Sequence, residues 1–92
     1  DNDAQVRRRA CAAVAACMSP EHYTVVTAVE KLGHLVVQDE NAGVRLEAVR
    51  AIAVIGAPAD IPRLETALSS ELNREIREEI NRAIAKLQAK NG

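Results

Sequence analysis

Asp39-Glu40-Asn41-Ala42-Gly43-Val44-Arg45 is one of three copies of a single phrase. The others are Asp1-Asn2-Asp3-Ala4-Gln5-Val6-Arg7 and Glu71-Leu72-Asn73-Arg74-Glu75-Ile76-Arg77. Each has an acid, a short capping side chain two later, an aliphatic three after that, then an arginine. The arginines stand 38 and 32 residues apart. A period of that size is the mark of stacked helical units, each too small to bury its own apolar face.

The copies stay in phase beyond the arginine. Three residues on stand Ala10, Ala48 and Ile80; six on, Ala13, Ala51 and Ala83; seven on, Val14, Ile52 and Ile84; ten on, Cys17, Ile55 and Leu87. With Val6, Val44 and Ile76 these offsets trace one stripe of a 3.6-residue helix, and the stripe is the expected buried face. Asp3, Asn41 and Asn73 are placed to accept from the first-turn N–H groups. Gly56 suits a left-handed position after the second of these helices, and Ser19-Pro20 suits a helix junction. Ala15, Ala53 and Ala85 are small enough to let neighbouring helices approach closely.

The intervening segments are helical as well. Val29, Leu32 and Val36 match Ile61, Leu64 and Leu68 at a shift of 32. The longer first unit therefore carries its extra residues near the start of its helix. The spacing predicts helices over 4–18, 20–37, 42–55, 59–69 and 74–90, and no segment alternates like a strand. The fold class is all-α: a solenoid of five helices, half a repeat followed by two helical hairpins, in one domain over 1–92.

The phrase Asp-x-Asp/Asn-x-x-Val-Arg-x-x-Ala, with Gly56-Ala57-Pro58-Ala59-Asp60-Ile61-Pro62-Arg63-Leu64 after the second copy, resembles HEAT repeats. The short, alanine-rich form is similar to the variety known from phycobilin lyase subunits. The resemblance implies a structural ladder in which Arg7, Arg45 and Arg77 reach acids of adjoining repeats, with Asp1, Asp39 and Glu71 as partners. Ligand binding by these arginines is the competing reading.

Composition narrows the function. The chain has 92 residues, a net charge of −1 and one aromatic residue, Tyr23. Arg7-Arg8-Arg9 is a lone basic cluster beside acids, and there is no basic stripe, so nucleic acid is not an expected partner. No apolar run is long enough to span a membrane. Cys11 and Cys17 lie six residues apart on one helix, about 9 Å of rise and too far to bridge. Free thiols favour a reducing compartment, here the cytoplasm. The first residue is not Met and the chain starts within a unit, while Asn81 and Gln88 make the last helix more polar than its inner copies. These features suggest the C-terminal part of a longer array. Its N-terminal side, with Ala12, Ala13, Ala15 and Ala16, would offer an apolar face for self-association.

No set of residues points to catalysis, so no enzyme activity, metal or cofactor is expected. His22 and His34 lack a ligating side chain four residues on. HEAT-fold hydroxylases hold iron with His-Glu pairs at helix starts, and the corresponding pairs here are Leu46-Glu47 and Glu78-Glu79. His34 reads as a partly exposed helix residue, Cys17 as an inert core thiol, and Gly33 as a close-packing point within a helix.

The resemblance puts the second helix of each hairpin on the inner face. Its outward positions are Arg9, Ala12 and Ala16; Glu47, Arg50 and Val54; and Glu79, Arg82 and Lys86. A solvated helix face is the plain reading of these residues. The functional reading is a partner-binding face, on Arg9, Glu47, Arg50, Val54, Glu79, Arg82 and Lys86, for another protein. The expected function is therefore a non-catalytic protein–protein interaction scaffold. The alternative is a subunit or regulatory tail of an enzyme, such as a bilin lyase-like protein.

Overall fold

In a computed structural model, the backbone is described for residues 3–17 and 22–90, with side chains except those of 14–17 and 22–25. Five α-helices occupy these residues: α1 (Ala4–Cys17), α2 (His22–Gln38), α3 (Ala42–Ile55), α4 (Ile61–Ser70) and α5 (Arg74–Ala89). A single 3-10 turn over Pro58–Asp60 leads into α4. The reading of Ser19-Pro20 as a junction falls outside the described residues, and those of Val14 and Cys17 as stripe residues concern side chains that are not described.

The starts of α3 and α5 follow from their capping residues. Asn41 Oδ1 accepts from the N–H of Val44 at 3.1 Å, and Asn73 Oδ1 accepts from that of Ile76 at 3.2 Å. Each bond occupies a donor that has no partner within its own helix. Asp3 accepts from Gln5 N–H in the same role at α1. Aligned at the shift of 32, α4 corresponds to residues 29–38, so α2 is longer at its N-terminal end.

Helix α3 lies at the centre, packed against α1, α2 and α5, while α4 packs on α5. The inner layer is thus α1, α3 and α5, and the outer layer is α2 and α4. The core joins Leu32 and Val36 of α2, Val49 and Ile52 of α3, Leu64 of α4, and Ile76, Ile80 and Leu87 of α5. α3 touches three helices, so it buries small residues on several sides: Ala48, Ala51 and Ala53 join Val44, Val49 and Ile52. Alanine at these sites lets backbones approach closely, and stability comes from each unit covering its neighbour.

The first helix departs from the predicted stripe. Val6, Ala10 and Ala13 are exposed, whereas Cys11 is buried. α3 and α5 each have their hairpin partner against this side, whereas α1 packs mainly on α3. Among the described residues no helix precedes α1 to cover Val6, Ala10 and Ala13. Ala85 also differs from its expected role: it is exposed on α5, although Ala53 at the matching place is buried. Val26 of α2 is exposed too.

Gly56 is not left-handed. Its backbone is extended, with φ −75° and ψ 177°, and its N–H donates to Ile52 O at 2.7 Å. Close approach explains the glycine, because a Cβ here would lie 2.6 Å from Ile52 O. Gly33 is also a packing point: its Cβ would lie 2.7 Å from Arg63 Cδ, so the arginine stem of α4 rests on α2.

Candidate docking face and the ladder behind it

The acid and arginine of the repeated phrase sit where α-helical units meet. Arg7 donates from Nε to Asp39 Oδ2 at 2.7 Å and from Nη2 to Oδ1 at 3.2 Å. Arg45 donates from Nε to Glu71 Oε1 at 3.0 Å and from Nη2 to Oε2 at 3.2 Å. Both are two-pronged guanidinium–carboxylate pairs, the strong and geometrically selective form of this contact. The carboxylates are nearly covered while the arginines keep some access to water.

Each acid has further duties within its own phrase. Asp39 Oδ1 accepts from Asn41 N–H, and Glu71 Oε2 accepts from Asn73 N–H. The carbonyl of Asp39 accepts from Arg45 Nη1, and that of Glu71 from Arg77 Nη1. One acid therefore secures the turn before its helix, receives its own arginine on the backbone, and receives the previous unit's arginine on the side chain. Arg77 completes the backbone part, donating also to Leu68 O, and has no carboxylate partner among the described residues.

Hydrogen bonds from Arg7 hold the Asp39 carboxyl below the usual carboxylate range, against the opposing effect of burial, and the Asn41 N–H adds to the lowering. The same hydrogen bond raises the Arg7 guanidinium above its ordinary value. Burial pushes the Cys11 thiol up, and the charges of Glu47 and Asp39 add to it. A raised thiol is mostly protonated at neutral pH and a poor nucleophile.

The inner layer presents the other group of residues. On α3, Glu47 accepts from Arg50 Nη1 at 3.0 Å. On α5, Glu79 accepts from Arg82 Nη1 at 3.0 Å, and its other oxygen lies 3.9 Å from Arg50 Nε. These four side chains link α3 and α5. Arg9 and Ala12 of α1 border Glu47 on the other side. Between α3 and α5 runs a groove of about 280 Å³, lined by Ala53, Val54 and Ala83 with Arg50, Glu79, Arg82 and Lys86 at its edge. Val54 is 52% exposed. Ala16 falls among the side chains that are not described.

Sequence reasoning missed three contributors. Ala53 and Ala83 form part of the groove, although as a close-approach alanine and an alanine of the core stripe they give no sign of it. Lys90 donates to Val54 O and Gly56 O at 2.9 and 2.7 Å, placing a cation at the C-terminal end of α3, where free carbonyls and the helix dipole favour it. A second groove of about 400 Å³ lies in the outer layer, lined by Gly33, His34, Val37, Gln38, Pro62, Arg63 and Thr66. Gly33 was its one visible signal.

A sequence model of HEAT repeats matches residues 1–85. The chain belongs to the HEAT-repeat family. No curated protein and no solved structure matches it. HEAT repeats commonly mediate protein interactions. In this HEAT-repeat chain, no group of three or more His, Cys, Asp or Glu side chains able to hold a metal occurs among the described residues. Among those residues, too, no helix is long and apolar enough to cross a membrane.

Proposed function

We propose that this HEAT-repeat segment is a non-catalytic scaffold whose inner strip receives another protein. The strip runs from Arg9 of α1, across Glu47, Arg50 and Val54 of α3, to Glu79, Arg82 and Lys86 of α5. The observation that carries the reading is the exposed Val54 in a groove whose edge is held by paired charges. An aliphatic side chain left open in the middle of a polar rim is the arrangement of a small docking site. The ladder, which joins Arg7 of α1 and Arg45 of α3 to the turns before α3 and α5, keeps these helices in register and leaves this strip free for a partner. Cys11 as a buried free thiol supports a reducing compartment, the cytoplasm.

The test is retention of partner proteins by the immobilised chain, compared with a variant carrying Glu47→Arg, Arg50→Glu and Arg82→Glu. Loss of specific partners supports the reading, provided the variant melts like the parent. An unchanged set of partners removes this face from consideration.

A further inference from the structure

We propose that the groove between α3 and α5 takes an acidic protein segment, one that seats an apolar side chain beside Val54 and places carboxylates on Arg82 and Lys86. This rests on the docking reading above and adds the chemistry of the partner.

Charge on the groove is asymmetric. Its lining has three cations, Arg50, Arg82 and Lys86, against the single carboxylate of Glu79. The acids of the strip are already engaged and largely covered: the Glu47 and Glu79 side chains are each 20% exposed. Their arginines are more open, at 49% for Arg50 and 66% for Arg82. An approaching partner therefore meets guanidinium groups with the carboxylates beneath them. Arg82 uses Nη1 on Glu79 and keeps Nε and Nη2, a free pair of donors suited to a carboxylate. Lys86 makes no hydrogen bond or ion pair among the described residues. Lys90 reinforces the positive field from the end of α3.

The lining also says what lies between the partner's carboxylates. Ala53 and Ala83 are buried, and Val54 is the large apolar side chain left open. At about 280 Å³ the groove lies at the small end of the roughly 300–1,000 Å³ range of small-molecule sites. It fits an anchor side chain presented by a peptide or helix. A nucleic-acid strand suits it less well. No aromatic side chain lines it for base stacking, and Glu79 and Glu47 would oppose a run of phosphates.

The experiment is fluorescence anisotropy with the 92-residue chain and a short labelled peptide that carries a leucine flanked by glutamates. Two further peptides replace the glutamates by lysine or the leucine by glycine, and a labelled single-stranded oligonucleotide is the last probe. The glutamate–leucine peptide should bind and weaken as salt is raised. It should weaken by about tenfold or more in the Arg82→Glu, Lys86→Glu variant. Both residues are exposed, so circular dichroism and melting should match the parent. The lysine peptide should not bind, and the glycine peptide should bind less well. No binding of the glutamate–leucine peptide, equal binding to the variant, equal binding of the lysine peptide, or stronger binding of the oligonucleotide overturns the proposal. If the glutamate–leucine peptide fails while the charge-reversed strip still loses its partner proteins, the docking face stands and only its acidic chemistry is wrong.

Discussion

Arg45 and Glu71 stand 26 residues apart and meet through two parallel hydrogen bonds; Arg7 and Asp39 make the same pair across 32 residues. The six-residue difference is taken up without altering the contact, because the longer unit extends α2 at its start. The carboxylate, its turn and the arginine below it form a unit that tolerates changes in helix length.

Glu71 should therefore matter more than its surface neighbours. It is buried, accepts from Arg45 twice and from Asn73 N–H once. Glu71→Ala would leave the Arg45 fork with only the Asp39 carbonyl, at a cost of about 2 kcal/mol. Glu78→Ala breaks a pair with Arg74 that lies open to water, and should cost about 0.5 kcal/mol or less. Urea unfolding of the two variants checks the difference, and equal costs would show that the ladder adds nothing.

The Asp39 pair should show in the acid limb of stability. Its folded carboxyl lies below the usual carboxylate range. The unfolded chain thus takes up the proton more readily, and stability falls as the pH drops. The contribution is fully present above the unfolded value of about 4 and is lost as the pH falls through the lower folded value. Asp39→Asn should be less stable than the parent at neutral pH, and the gap should narrow below about pH 4. A gap that stays constant to strong acid would show that Asp39 is not held charged by Arg7.

Ala48 and Ala10 hold the same place in two copies of the repeat but sit in different surroundings. Ala48 is fully buried and Ala10 is exposed. Ala48→Asp should cost at least about 3 kcal/mol, because it puts an unpaired charge between helices. Ala10→Asp should change stability by about 0.5 kcal/mol or less. Thermal melts of both variants decide it; a large loss in Ala10→Asp would mean that this side of α1 is covered.

Cys11 should be protected from alkylation in the folded protein. It is buried, and burial raises its thiol. Iodoacetamide followed by peptide mass mapping should label it slowly in buffer and fully in denaturant. Rapid labelling in buffer would show that α1 separates readily from α3.

The sequence was most readable where a local rule and the repeat agree. Asn41 and Asn73 are capping residues at helix starts, and the Val44–Ile52 and Ile76–Leu87 stripes have helices on the sides that the period assigns. The all-α repeat fold follows from these. Two features were not legible. The stripe of α1 has the same residue types as its copies, but burial depends on what covers it, and nothing in Val6 or Ala10 records that. Gly56 fits a left-handed cap by residue type, yet it is required by the distance to Ile52 O, a three-dimensional fact. For the candidate face, the charged positions could be read from helix geometry. Which charges pair across α3 and α5, and that Ala53 and Ala83 line a groove beside Val54, depends on how the helices pack.

Photocrosslinking from the inner face examines the docking role without altering its charges. A photoreactive amino acid at Val54 should form crosslinks to another protein, and the same group at Glu65, exposed on α4 of the outer layer, should not. Crosslinks that arise equally from both sites, or only from Glu65, would contradict a partner-binding role for the inner strip.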